Sequence, residues 1–162
     1  MIALAFSCEP QLLIADEPTT ALDVTVQRQV LLLLREKARQ KGTAILLITH
    51  DMALVSQFCD RVYVMYTGAV VEQGLTADVM SNPQHPYTRG LLSGVPEMVE
   101  PGQPLLTIPG QVPNLSRLPT GCTFAERCVH AMQVCGERPV LTAINRDEQR
   151  KRACWLPQQE LS

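Results

Sequence analysis

Leu12-Leu13-Ile14-Ala15-Asp16-Glu17-Pro18 is the stretch that decides the fold. Four consecutive apolar residues without alternation predict a short strand covered on both faces, as in a parallel α/β sheet. Downstream, Asp23 precedes a helical stretch over 24–40 in which Val26, Val30, Leu31, Leu34 and Ala38 recur at roughly helical spacing. Asp23 suits the N-cap of that helix and Gly42 the position just past its end. Residues 44–48 predict a second buried strand, ending in Thr49-His50-Asp51. A short helix over 52–59 follows, then strands over 61–65 and 69–72 around a hairpin-like turn at Tyr66-Thr67-Gly68. Strand, helix, strand, helix in this order predicts a right-handed βαβ unit with its chemistry at the carboxyl ends of the strands.

Composition narrows the function. The 162 residues carry a formal net charge of −2, which argues against gripping nucleic acid or anionic lipid. The longest charge-free stretch, 101–116, is broken by proline and glycine and cannot be a membrane helix. Residues 1–8 are apolar, but they have no basic flank and run into Glu9-Pro10, so a secretory signal is not expected. The first glycine is Gly42, and no Gly-Lys pair occurs anywhere in the chain. A Walker A phosphate cradle requires G-x-x-x-x-G-K-[ST], so this sequence holds none. Eight of the 12 prolines fall between Pro83 and Pro119, which predicts an irregular tether with one short helix near 87–93. Residues 1–81, 82–120 and 121–158 thus read as an α/β segment, a proline-rich linker and a small irregular Cys-rich extension.

Asp16-Glu17 and His50 lie just past two strands that share a sheet, and so on one rim. An Asp fixed at a strand end can hold Mg²⁺ through hard oxygen contacts. A Glu one residue later can polarise an attacking water, and a neighbouring histidine can hydrogen-bond a terminal phosphate. Each residue also has a plainer reading, as a strand-exit acid, a helix cap (Asp23) or a strand-end histidine.

The whole string Leu12 to Asp23, followed by Leu47-Ile48-Thr49-His50-Asp51, closely resembles the ATP-binding subunits of ABC transporters. In that family the first segment is Walker B plus the D-loop and the second carries the switch histidine. The resemblance implies Asp16 as the Mg²⁺-water ligand and Glu17 as the catalytic carboxylate. It implies His50 as the γ-phosphate sensor and Asp23 as the D-loop contact to a second ATPase subunit. The wording of 15–25 and the later Asn82-Pro83-Gln84-His85-Pro86-Tyr87-Thr88 resemble the di/oligopeptide importer branch. The fold implied is the C-terminal half of an ABC-type P-loop NTPase domain, with ATP and Mg²⁺ as cofactors. The partners implied are a second ATPase, two membrane permeases and, indirectly, a peptide-binding protein, at the cytoplasmic face of a bacterial membrane. Walker A, the Q-loop and the family signature lie N-terminal to Walker B in such subunits, and none is in this sequence. The expectation is therefore that residues 1–162 alone do not hydrolyse ATP. The alternatives are a catalytically inactive metal-binding fragment, or a subunit whose importer carries another solute such as nickel.

Cys122, Cys128, Cys135 and Cys154 are spaced C-x5-C-x6-C-x18-C. Disulfides, a Cys₄ zinc site and a cubane iron–sulfur cluster are all compatible with four thiols, and the spacing matches none of the tight patterns. Arg127, Arg138, Arg150, Lys151 and Arg152 flank the cysteines, where they either favour thiolate over thiol or form a plain solvated surface. The resemblance favours a [4Fe–4S] cluster, which some peptide-importer extensions carry, over zinc. His130 is expected to be a bystander, and Cys8 and Cys59 to be small buried apolar residues.

Overall fold

The computed structural model describes residues 2–96, 102 and 104–157. Met1, 97–101 and 103 in the expected linker, and 158 at the end of the expected extension lie outside the described residues. The chain divides into two compact units, 1–54 and 55–162, with the boundary inside a short helix at Met52–Phe58 (α3).

The first unit is built on β1 (Leu12–Asp16) and β2 (Ala44–Ile48), which pair in parallel with Leu13 opposite Ile45 and Asp16 opposite Ile48. A short α1 (Ile2–Phe6) precedes them, and α2 (Val24–Lys41) connects them. Both expected caps of α2 are present. Asp23 Oδ1 accepts from the backbone N–H groups of Thr25 and Val26, each at 3.0 Å. Gly42 adopts φ 66°, and its N–H donates to the Ala38 carbonyl. Leu31, Leu34 and Ala38 form the buried stripe of the helix.

The expectation that both strands are covered on both faces is corrected. Leu12, Ile14, Leu46 and Ile48 are 44–60% exposed, whereas Ala15 is buried. The period of two explains it: α2 packs on one face of the pair, and the alternate residues of these uniformly apolar strands stand on the other. Cys8 is likewise exposed, because α1 ends at Phe6 and the chain turns out through Glu9 at φ 47°.

The second unit is a four-stranded antiparallel sheet in the order β3-β4-β6-β5, with β3 at Arg61–Tyr66, β4 at Ala69–Leu75, β5 at Thr142–Ile144 and β6 at Asp147–Arg152. Thr67 (φ 47°) and Gly68 (φ 80°) make the expected turn between β3 and β4. Asn145 (φ 52°) and Arg146 (φ 66°) do the same between β5 and β6. Two successive positive φ angles are the mark of a type I′ hairpin. The strand pair β5–β6 is a second correction, since the residues after 120 were expected to be irregular. β6 reads Asp-Glu-Gln-Arg-Lys-Arg and carries no apolar alternation. It is a strand because its backbone completes the open edge of β4, with Glu72 opposite Arg152.

Two short helices follow β4: α4 (Thr76–Ser81) and α5 (Pro86–Leu92). Val55, Val62, Val64, Tyr66, Val71, Val79 and Phe124 form the core. Tyr66 sits 4.6 Å from Tyr87 and 5.3 Å from Phe124, ring centre to centre, so three of the few aromatic residues meet at one point. No helix among the described residues is long and apolar enough to cross a membrane.

Candidate functional site

The first unit brings Asp16, Glu17 and His50 to one end of the β1–β2 pair. Asp16 is the last residue of β1. Glu17 continues the ladder by donating its N–H to the Ile48 carbonyl at 2.9 Å, then turns at φ 45°. That left-handed backbone is costly for a residue with a Cβ. It is closed by the Thr20 N–H, which donates to the Glu17 carbonyl at 3.2 Å.

The turn aims the Glu17 carboxylate across to the neighbouring strand end. Its Oε1 lies 2.7 Å from His50 Nδ1, and its Oε2 accepts from the Thr20 hydroxyl at 2.8 Å. The hydrogen bond from His50, then that from Thr20, holds the carboxyl below the usual range. In return the carboxylate, first by hydrogen bond and then by charge, lifts the His50 ring above its ordinary value. The pair stands in solvent, with the His50 side chain 85% exposed. Its chemistry is that of an accessible acceptor and a reachable proton.

Asp51, next to His50, accepts from the Leu54 N–H at 3.0 Å and from Gln27 Nε2 at 3.4 Å, tying the His50 loop to α2 and to the start of α3. Asp23 sits at the head of α2 with its carboxylate engaged as a cap. Thr20, Gln27 and Asp51 were not singled out in the sequence. An Asp immediately before the first apolar residue of a helix is a capping signal that would have found Asp51.

The second unit holds the cysteines. Cys122, Cys128, Cys135 and Cys154 line one pocket, together with His85, Phe124, His130 and Trp155. Burial pushes the thiols of Cys122, Cys128 and Cys154 up. Gly121, beside Cys122, leaves room for the Cys135 backbone: a Cβ there would lie 2.3 Å from the Cys135 carbonyl oxygen. That close approach lets the Cys122 N–H donate to the same carbonyl at 2.9 Å. All four are free thiols, and among the described residues no group of three or more His, Cys, Asp or Glu side chains is placed so that it could hold a metal ion. Cys59 packs against the core and its thiol is pushed up by burial, as a small apolar residue would be. His130 lines the pocket rather than standing apart from it.

The comparisons agree with this division of the chain. Residues 71–135 match the model of the oligopeptide/dipeptide transporter C-terminal region. Residues 1–56 match an AAA domain model described as a putative AbiEii toxin of a type IV toxin–antitoxin system. A probable D,D-dipeptide transport ATP-binding protein (DdpD) of Escherichia coli is 64% identical over 99% of this chain and 49% of its own length. The oligopeptide transport ATP-binding protein OppD of Salmonella typhimurium is 53% identical over 99% of this chain and 48% of its own. The dipeptide transport ATP-binding protein DppD of Bacillus subtilis is 47% identical over 98% and 47%. The chain spans about half the length of the curated relatives it matches. A strand-end acid facing a histidine, an α/β first unit and a second unit that the oligopeptide/dipeptide transporter C-terminal region matches come together with these identities, and over nearly its whole length the chain is similar to the ATP-binding proteins of oligopeptide and dipeptide transporters.

Proposed function

We propose that this chain supplies the hydrolytic rim of the ATP-binding subunit of a bacterial peptide importer. The observation that carries this reading is the 2.7 Å contact between Glu17 and His50, which joins the ends of two parallel strands in a chain similar to these proteins. Glu17 is the carboxylate that accepts a proton from the attacking water as it adds to the γ-phosphorus of ATP, while the bond from that phosphorus to the β–γ bridging oxygen breaks and ADP leaves. His50, held by Glu17 in the resting state, donates to the γ-phosphate oxygens when nucleotide is present. Asp16 offers a hard oxygen at the strand end, which fits Mg²⁺ directly or through water. Bound there, Mg²⁺ supplies positive charge against the phosphates. Asp23 faces a second ATPase subunit across the nucleotide. Closing and reopening of the ATPase pair drives two permeases at the cytoplasmic face of the membrane, with a peptide-binding protein on the other side.

Walker B and switch residues finish a triphosphate site rather than build it, and this sequence has no Gly-Lys pair. The chain alone is therefore inactive. Coexpressed with the first half of a relative such as the E. coli D,D-dipeptide protein, it should release phosphate from Mg·ATP. Glu17→Gln should then lower the rate by about 10²-fold or more. Turnover by this chain alone, or turnover untouched by Glu17→Gln, overturns the assignment.

The four cysteines are proposed to hold a metal group, [4Fe–4S] ahead of zinc. What supports this reading is that four thiols line one pocket, the number and kind of donor that either group takes, and that Arg152 beside Cys154 favours the thiolate; the four are not arranged around an ion as they stand, so binding would have to draw them together. The group when bound supplies cross-linking to a unit with few aromatic residues, and binding releases the thiol protons. Absence of iron, acid-labile sulfide and zinc from protein prepared without oxygen overturns this part. A second reading, a metal-binding fragment without ATPase function, is favoured by the missing Gly-Lys pair. Failure of the coexpressed pair to turn over while the chain retains metal would select it. The cargo, peptide or another solute such as nickel, is set by the permeases and binding protein.

A further inference from the structure

Thr20 meets Glu17 at two points. Its N–H donates to the Glu17 carbonyl at 3.2 Å, and its hydroxyl donates to Glu17 Oε2 at 2.8 Å. The first bond closes the turn after β1, helped by the Leu22 N–H, which donates to the Thr19 carbonyl at 3.1 Å. Both of those are main-chain bonds, so the course of the chain needs no hydroxyl at position 20. The hydroxyl acts on the carboxylate alone, and it divides the two oxygens. Oε2 is taken by Thr20, while Oε1 lies 2.7 Å from His50 Nδ1. The neighbouring acids are engaged elsewhere: Asp23 accepts from the Thr25 and Val26 N–H groups, and Asp51 from the Leu54 N–H and the Gln27 amide. Glu17 is a long side chain, 40% exposed, and an untethered one exchanges rotamers freely.

We propose that Thr20 is a positioning residue of the hydrolytic rim, its hydroxyl holding Glu17 Oε2 while Oε1 passes from His50 to the attacking water. The role rests on the assignment of Glu17 above as the carboxylate that takes the water's proton. When His50 turns to the γ-phosphate, the carboxylate loses one of the two hydrogen bonds that fix it, and the Thr20 bond remains. A base that is already oriented spares the reaction the entropy of finding that geometry. The His50 bond first, and the Thr20 bond second, hold the Glu17 carboxyl below its usual range. The hydroxyl thus also keeps the base ionised once the histidine has left.

The alternative is that the hydroxyl only stiffens the turn, and two substitutions separate the roles. Thr20→Val puts a methyl in place of the hydroxyl at nearly the same shape, and Thr20→Ser keeps the donor. Each is placed in the chain coexpressed with the first half of the E. coli D,D-dipeptide protein. Thr20→Val should lower kcat for Mg·ATP about tenfold at unchanged KM, and Thr20→Ser should stay within about twofold of wild type. In the Glu17→Gln background, followed by single turnover, Thr20→Val should cost less than about twofold, because its effect runs through the carboxylate. A wild-type kcat in Thr20→Val, an equal loss in Thr20→Ser, a change in KM alone, or the full loss repeated in the Glu17→Gln background overturns the proposal. Should Thr20→Val alter the circular dichroism of the chain, Thr20→Ala, which keeps the N–H and removes the hydroxyl, is read by the same criteria. A coexpressed pair without turnover defeats the Glu17 assignment, and Thr20 is then judged in the full chain alone. There the NMR couplings of the Glu17 β protons should show one dominant rotamer in wild type and Thr20→Ser, and averaging in Thr20→Val. Averaging already in wild type, or couplings identical in all three, overturns the proposal.

Discussion

Replacing Glu72 should unfold the second unit more readily than any surface change in it. Glu72 is a β4 residue with 0% exposure, and its two oxygens accept the Gln84 and His85 N–H groups at 2.7 and 2.9 Å. Glu72→Ala leaves two buried donors unpaired at about 1–3 kcal/mol each, so the expected loss is about 3–5 kcal/mol once partial relaxation is allowed. Glu72→Gln keeps one accepting oxygen and points an amide at the other donor, for about 1–3 kcal/mol. Trp155 is the chain's one tryptophan and belongs to this unit, so urea unfolding followed by its fluorescence reports the right transition. The pH dependence gives a second, independent check. Burial is the largest influence on Glu72 and raises its carboxyl, against the Gln84 and His85 hydrogen bonds, the nearby Thr88 hydroxyl and the Arg150 charge that lower it. A carboxyl raised in the folded state binds its proton more tightly there than in the unfolded chain. Its contribution to stability is therefore fully present below the ordinary value of 4.5 and is lost as pH rises through the folded value. Wild-type protein should lose this contribution over that window, and Glu72→Gln should show no such slope. A Glu72→Ala midpoint within about 0.5 kcal/mol of wild type would refute the reasoning.

Three further outcomes are expected. Asp23→Ala removes the oxygen that accepts two α2 N–H groups and should cost the first unit about 1 kcal/mol, read as lost helical signal in a urea titration by circular dichroism. Glu17→Gln should let the His50 ring fall from its raised value toward 6.5, and Thr20→Val should move it part of the way, both read by proton NMR titration. Gly121→Ala drives a Cβ to 2.3 Å from the Cys135 carbonyl and must part the Cys122 and Cys135 backbones, so metal uptake measured by elemental analysis should drop while the first unit's helical signal is kept.

The parts of the fold that were legible before the structure share one property: the side chains themselves encode them. Asp23 and Gly42 bound α2 because one accepts backbone N–H groups and the other tolerates φ 66°, and these are chemical facts of single residues. The turn at Thr67-Gly68 and the strands around it follow from the same kind of information. What stayed hidden depends on what a segment meets. β6 has no apolar residue to announce it, and it exists because the edge of β4 offers unpaired backbone groups. Asn145, a residue that tolerates the left-handed region, was the one local hint of its hairpin.

The candidate site divides along the same line, and this bears on how its residues act. Asp16, Glu17 and His50 could be placed on one rim because parallel strands bring their carboxyl ends together whatever the side chains do. That His50 contacts Glu17 is a further step, fixed by a strained backbone at Glu17 and by the Thr20 hydroxyl three residues on. No periodicity encodes such a contact. The cost of φ 45° at a non-glycine residue is offset by the ladder bond to Ile48 and the turn closed by Thr20, so the geometry survives because several weak bonds agree on it. A carboxylate held by two exposed hydrogen bonds rather than buried ones can be released cheaply. That is what a group must do if it is to surrender its histidine to an incoming phosphate and turn to a water.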